Sequence, residues 1–202
     1  MTKIVLLNGP ASSGKDTLAA QLVNHTPKSL MVKFAAPLKM IATHMYCDSD
    51  SQKFHQWDAP SEKIKPSPVF LGKTCRQVQI DISEVYMKPM HGEGVFGKFL
   101  FKTIERESMN DYETFFVSDS GFRPEAEVLV EAYGAQNVML LRLHREGKFF
   151  DKDPESKSYD SRDYINLDDL GVESHDIDNI ENDINGTVTS IQPILNKFLE
   201  GN

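Results

Sequence analysis

Apolar and polar positions fall in blocks along the chain whose period switches between that of a strand and that of a helix. The unbroken apolar run Ile4 to Leu7 predicts a short buried strand over Lys3 to Asn8. Gly9 to Ser13 then reads as a loop, and Lys15 to about Asn24 as a helix with Leu18, Leu22 and Val23 on one side. A second strand is predicted over Leu30 to Phe34. Leu38, Ile41, Ala42 and Met45 follow at helical spacing, with Pro37 suited to the first turn. From Asp48 to Thr74 the chain is polar and carries Pro60, Pro66 and Pro68, so an irregular, mobile segment is expected. Two helices come next, around Cys75 to Tyr86 and Val95 to Glu107, separated by a break at Pro89 to Gly94.

The second half repeats the alternation. Phe115-Phe116-Val117 predicts a strand ending at Ser118-Asp119, and Pro124 opens a helix that Gly134 closes before a strand over Asn137 to Leu143. Gly147 to Asp163 is the most polar stretch and is expected to be a solvated excursion. A last strand is placed at His175 to Asn179. Val188, Ile191, Ile194, Leu195, Phe198 and Leu199 then form the apolar face of a terminal helix, with a kink expected at Pro193. Repeated strand-helix units imply a parallel sheet covered on both faces, with ligands gathered at the carboxyl ends of the strands. Those ends are Asn8, Phe34, Asp119 and Leu143.

Composition narrows what such a domain does. The 202 residues suffice for one domain with a sizeable core, and 40% hydrophobic with 26% charged is the balance of a soluble globular protein. No apolar run approaches the ~18 residues of a membrane span, and Ile4 to Leu7 is too short for a secretory signal, so a cytoplasmic chain is expected. A net charge of −8 argues against binding a nucleic-acid polymer. Cys47 and Cys75 are read as structural thiols, and Asn185-Gly186-Thr187 as a turn. His44 with Cys47 lacks the second pair that zinc needs. Asp176-Ile177-Asp178 starts like a calcium loop but continues with Ile180 and Glu181 where a ligand and a glycine are required. Phe54, His55 and Trp57 read as a packing cluster more readily than as a contact to a base or partner.

The strongest chemical signal is Gly9-Pro10-Ala11-Ser12-Ser13-Gly14-Lys15. It has the spacing of a phosphate loop between a strand and a helix, in which backbone N–H groups of Ala11, Ser12, Ser13 and Gly14 face phosphates and Lys15 reaches the terminal ones. Asp16 stands where such loops commonly have Ser or Thr, and Thr17 comes second. Asp16 is either a first-turn carboxylate favoured by the helix dipole or a magnesium contact, and both readings stay open. Asp119, at a strand end, either faces magnesium or the acceptor or caps the helix at Pro124, roles that are compatible.

The variant Gly-Lys-Asp-Thr resembles the loop of bacteriophage deoxynucleoside monophosphate kinases. Phe34-Ala35-Ala36-Pro37-Leu38-Lys39 resembles that family's segment after the second strand, Arg76 its arginine in the monophosphate-binding part, and Val117-Ser118-Asp119 with Phe122 and Glu125 its strand-end aspartate motif. The resemblance implies that Lys39, Arg76 and Asp119 bind the acceptor, and that Asp16, Thr17 and Asp119 are candidates to hold magnesium. Gly121 departs from the family pattern, which has arginine two positions after the aspartate. Arg123 is the candidate substitute, with an ion pair to Glu127 as the alternative. Arg142 and Arg145 are the candidate lid arginines, with Arg142 also on the nucleotide; Arg162 reads as a solvated local pair.

The expected fold is therefore a three-layer α/β/α phosphate-loop kinase domain over 1–202, with a helical monophosphate-binding insertion at 36–110 and a lid at 144–165. The expected activity uses ATP and Mg²⁺ to convert a deoxynucleoside monophosphate to its diphosphate, with Lys15, Asp119, Arg142 and Arg145 at the chemistry. The partners are small molecules, without nucleic-acid polymer or membrane, for a monomer or homodimer in the cytoplasm, the host's if the source is viral. Two alternatives remain: a small-metabolite kinase resembling phosphomevalonate or dephospho-coenzyme A kinases, and a nucleotide-dependent switch or binding module.

Overall fold

The computed structural model describes residues 1–59, 61–153, 162–180 and 183–201. The chain divides into two compact units, one of Met1–Phe34 with Gly97–Asn202 and one of Ala35–Phe96. The first unit is built on five parallel strands: β1 (Lys3–Asn8), β2 (Ser29–Val32), β3 (Thr114–Ser120), β4 (Val138–His144) and β5 (Glu173–Asp178), in the order β2-β3-β1-β4-β5. This is the expected α/β class. Every residue of β1 is buried, which explains its unbroken apolar run: a central parallel strand has no face left for water.

Helix α1 (Lys15–His25) follows β1 and packs on β3 and on the terminal helix. Leu18, Ala19 and Leu22 of α1 close over Val5, Leu7, Phe116, Met139 and Leu141 together with Val188, Ile191, Leu195 and Phe198. Helix α6 (Val95–Ser108) precedes β3, α7 (Arg123–Tyr133) follows β3 and packs on β4, and the terminal helix after β5 packs back on β5. The helix from Pro124 begins at Arg123 and runs to Tyr133, with Gly134 closing it as expected.

β1 and β3 lose regular register at their carboxyl ends. Leu6 pairs with Val117 but Asn8 pairs with Ser120, so Ser118 and Asp119 together stand opposite Leu7. Such a bulge re-aims side chains, and it falls beside the phosphate loop.

The second unit is helical. It contains α2 (Ala36–Tyr46), α3 (Ser51–Asp58), α4 (Cys75–Ile80) and α5 (Lys88–His91), with Asp81–Met87 forming wider π-type turns between the last two. Two expectations are corrected here. The stretch expected to be irregular from Asp48 holds α3, because the Asp50 side chain accepts from the Lys53 N–H at 3.0 Å and Phe54 is buried. The break expected from Pro89 starts later: the chain stays helical from Cys75 through the wider π-type turns and Pro89 to His91, and Gly92, at φ 89°, ends it. Trp57 packs edge-on against Phe70, centroids 6.0 Å apart, as the packing reading held.

At the centre of this unit the Asp58 carboxylate receives Lys39 at 2.5 Å, Lys63 at 2.9 Å and the Gln79 amide at 2.8 Å. Burial alone would raise its pKa, but the two ammonium groups outweigh that and draw it down from 3.8 to about 2. A depressed folded pKa adds stability that is complete above the unfolded value and is lost as pH falls through the folded one. We expect Asp58 to contribute about 2 kcal/mol that disappears between about pH 4 and pH 2. Urea unfolding followed by the single tryptophan, Trp57, checks this. Asp58→Asn should remove that increment of pH dependence, and an unchanged acid slope would contradict it.

In the first unit the chain ends in the long helix α8 (Ile184–Glu200), whose face docks on the sheet as the periodicity required and which continues through Pro193. Asn185-Gly186-Thr187 is the first turn of α8 and not a separate turn. The Asp183 side chain caps it by accepting from the Gly186 N–H at 2.9 Å. Of the lid expected at 144–165, residues 154–161 lie outside the described residues. Among the described residues no helix is long and apolar enough to cross a membrane.

Candidate active site

The phosphate loop leaves β1 at Asn8 and enters α1 at Lys15. Ser12 and Gly14 both take left-handed backbone angles, φ 60° and 94°. Successive inversions of this kind turn consecutive N–H groups toward one concavity, the geometry that receives an anion. No side chain caps α1, so its first N–H groups remain available to a ligand in the same place. Gly14 also has no room for a side chain: an added Cβ would lie 2.3 Å from the Asn179 amide nitrogen.

Lys15 is buried and curls back over its own loop, donating to the Gly9 and Pro10 carbonyls at 2.7 Å each and to the Ser13 hydroxyl at 3.4 Å. An ammonium has three donors and needs acceptors when it leaves water. The loop carbonyls hold it at the centre of the concavity.

The bulge in β3 brings an oxygen-rich group against the first turn of α1. Ser118 donates to Asp16 at 2.6 Å, and Lys33, just past β2, pairs with the same carboxylate at 2.8 Å. Burial would raise the pKa of Asp16. The Lys33 and Ser118 hydrogen bonds, with the charges of Lys33 and Lys15, reverse this and leave it lowered. Asp119 accepts the Phe34 N–H at 2.8 Å, tying the end of β3 to the chain leaving β2. Thr17, Asp16 and Asp119 are thus oxygen donors next to the loop. Hard oxygen donors suit Mg²⁺, which is held through one or two carboxylates plus substrate phosphates, and these residues fit it. Among the described residues no cluster of three or more His, Cys, Asp or Glu side chains forms a self-sufficient metal site.

On the other side of the loop two cavities adjoin. One of about 240 Å³ is lined by Gly14, Thr17, Arg145, Asn179, Ile180 and Ile184. The other, about 770 Å³, shares Arg145, Asn179 and Ile180 and is completed by His144, Lys148, Tyr164, Asp178 and their neighbours. The Arg145 guanidinium donates to the Ser12 carbonyl at 3.4 Å, so this sequence-predicted arginine does meet the loop.

Asn179 links the cavity to the loop. Its amide donates to the Ser13 carbonyl at 2.6 Å and its oxygen accepts from Thr187 at 3.1 Å. Deleting a buried partner of this kind leaves unsatisfied groups worth about 1–3 kcal/mol. We expect Asn179→Ala to raise the apparent Kd for ATP by about 10-fold, on the basis of that penalty. Calorimetric titration measures it, and unchanged affinity would show that the loop does not depend on this strut.

The remaining predicted residues are placed differently. Arg142, on β4, makes a two-pronged pair with Asp176 of β5 at 3.0 and 2.9 Å, and His144 shares that carboxylate at 2.7 Å. These two partners hold Asp176 well below the usual carboxylate range. Arg123 pairs with Glu127 at 2.7 Å, as its alternative reading had it, and also forks onto Asp169 at 2.9 and 2.6 Å. Lys39 and Arg76 belong to the helical unit, Lys39 on Asp58 and Arg76 in the first turn of α4. Cys47 and Cys75 are buried free thiols.

Sequence reasoning gave no side-chain role to Lys33, Ser118, Asn179 or Asn8, although Asn8 and Ser118 were placed at strand ends. Asn8 is fully buried and bonds the Ser120 carbonyl and the chain at Asp163 and Ile165, each at 3.0 Å. A polar residue closing an apolar strand was the available signal for Asn8 and Lys33.

No family model matches the chain, and no curated protein matches it. Among solved structures, it is similar to a sugar kinase from a Janibacter species at 13% identity, over 99% of this chain and 95% of that one, with a TM-score of 0.49. A thymidylate kinase from Candida albicans is similar at 11% identity over 100% and 94% of the two chains, TM-score 0.45. A dephospho-CoA kinase from Campylobacter jejuni is similar at 11% identity over 98% of both, TM-score 0.44. Likeness this distant carries no argument about substrate.

Proposed function

We propose that the protein is a phosphotransferase that moves the γ-phosphoryl group of ATP to the phosphate of a deoxynucleoside monophosphate. The observation that carries this reading is the joined arrangement of phosphate loop, buried Lys15 and adjoining cavity at the carboxyl ends of a parallel sheet. The loop amides and Lys15 receive the ATP phosphates. The larger cavity has the volume of a small-ligand site, with Arg145 and Ile180 suited to lie against a planar base.

Transfer is in line. An oxygen of the acceptor phosphate attacks the γ-phosphorus as the bond to the β–γ bridging oxygen breaks, giving a nucleoside diphosphate and ADP. No general base is required, because the acceptor phosphate is already ionised near neutral pH. Magnesium, when bound, supplies charge neutralisation on the phosphate oxygens. Asp16, Thr17 and Asp119 are the residues proposed to hold it, directly or through water.

Support for the acceptor class comes from the Gly-Lys-Asp-Thr variant and the Phe34 to Lys39 segment. Lys39 and Arg76 are the proposed acceptor-phosphate ligands; Lys39 has three donors and retains capacity beyond Asp58. Steady-state assays with ATP, Mg²⁺ and each of the four deoxynucleoside monophosphates, alongside phosphomevalonate and dephospho-coenzyme A, test the assignment. At least one deoxynucleotide should be turned over with the highest kcat/KM of the set. Preference for either metabolite would replace the acceptor while keeping the transfer. Tight ATP binding with no accelerated turnover by any acceptor would favour a nucleotide-dependent switch.

A further inference from the structure

Gly121 directly follows β3, and the pairing of Asn8 with Ser120 puts it level with Gly9, where the phosphate loop begins. It is buried. What covers it is the side chain of Arg162, from a segment 41 residues further along the sequence. A Cβ built on Gly121 would lie 2.5 Å from the Arg162 Cδ, 2.7 Å from its Cγ and 3.0 Å from its Cβ, and these are the three nearest atoms. Real Cβ contacts are not that short, so the absence of a side chain at 121 is what lets the arginine stem cross there.

The backbone next to Arg162 is fixed in this position. The Asn8 amide donates to the Asp163 carbonyl at 3.0 Å, and the Asn8 oxygen accepts the Ile165 N–H at 3.0 Å. Lys152 donates to the Arg162 carbonyl at 2.5 Å and pairs with the Asp163 carboxylate at 3.0 Å. One buried asparagine therefore holds the end of β1, the end of β3 and the chain carrying Arg162 together. The sequence reading of Arg162 as a solvated local pair did not include this stem, which is laid across the end of β3.

We propose that Arg162, passing over Gly121, is a phosphate-binding arginine of the transfer site, and that position 121 is glycine to admit it. Arg123, for which that role was expected, is forked onto Asp169 and paired with Glu127, and the case for Arg162 rests on its stem crossing Gly121. A guanidinium at this end of β1 and β3 offers a planar set of donors to oxygens of a phosphate group presented to the loop. The proposal rests on the phosphotransferase reading for its kinetic consequences, while the binding of phosphate itself does not require turnover.

Four proteins test it: the wild type, Arg162→Ala, Gly121→Ala and the double variant. The backbone at Gly121 is not in the left-handed region, so alanine acts there by displacing the arginine stem. Arg162→Ala should lower kcat/KM by about 100-fold, the range for removing one donor to a transition-state oxygen. Gly121→Ala should lower it by about 10-fold or more, on the same basis. The double variant should match Arg162→Ala within about 3-fold, because residues acting through one interaction are not additive. Arg162→Ala within about 3-fold of wild type, or losses that multiply in the double variant, would overturn the proposal.

A second readout uses inorganic phosphate, titrated into the protein saturated with ADP and Mg²⁺. Arg162→Ala should weaken phosphate binding by at least about 10-fold, a loss of ~1.4 kcal/mol. Equal binding by both proteins, or none by either, would overturn the proposal. If the wild type transfers phosphate to no acceptor, the functional reading fails and this titration alone decides the role of Arg162.

Discussion

Lys15→Ala is expected to lower kcat/KM for phosphoryl transfer by at least about 10³-fold while leaving the far-ultraviolet circular dichroism unchanged. The size follows from the proposed role, in which the lysine faces charge on the transferred oxygens in a concavity where water screens little. Lys15 is buried before any ligand arrives, held by the Gly9 and Pro10 carbonyls at 2.7 Å, so its ammonium is prepositioned. In the proposed role, phosphate oxygens would exchange for these carbonyls as its acceptors. The variant loses hydrogen bonds from a charged donor, worth about 1.5–3 kcal/mol each at most, so some fall in melting temperature is expected. Steady-state kinetics beside a melting curve separates the effects. Turnover within about 10-fold of wild type would contradict the role given to the loop by that same reasoning.

Asp119→Asn should lower kcat by about 10²- to 10³-fold, with a melting temperature close to that of the wild type. The amide oxygen keeps the acceptor that Asp119 offers to the Phe34 N–H at 2.8 Å, so the link between β3 and the end of β2 survives. What disappears is the negative charge of one of the three residues proposed to hold magnesium. Asp119→Ala is the contrasting variant. It loses both the charge and the link, and should also be less stable by about 1–3 kcal/mol, the penalty of an unpaired N–H. If Asp119→Asn keeps full activity, the aspartate is a structural tie only.

The sequence resolved best what depends on neighbours along the chain. β1, the glycine loop and α1 form one continuous signal, because an apolar run, glycines at fixed spacing and a helical repeat adjoin there. α3 was legible in principle from Asp50 as a cap, but three prolines nearby pointed to irregular chain. The side-chain partners were not legible. Ser118 and Asp16 are 102 residues apart and Asn179 and Ser13 are 166 apart, so no local pattern records their hydrogen bonds. The bulge at Ser118 and Asp119 arises from pairing with β1 and leaves no mark on its own strand. Arg123 shows the same limit. Its partner Glu127 lies one helical turn away and was foreseen, whereas Asp169 lies 46 residues on and takes the other edge of the guanidinium. Gly121 was read as a missing cation, and only the folded chain reveals which side chain lies over it.

The most direct test of the account follows the phosphoryl group itself. The protein is incubated with Mg²⁺, ATP labelled in the γ-phosphate and each deoxynucleoside monophosphate in turn, and the products are separated. The label should move into a deoxynucleoside diphosphate, with one ADP formed for each transfer. Label that stays in ATP, or that emerges only as inorganic phosphate with every acceptor, would contradict phosphoryl transfer to a deoxynucleotide.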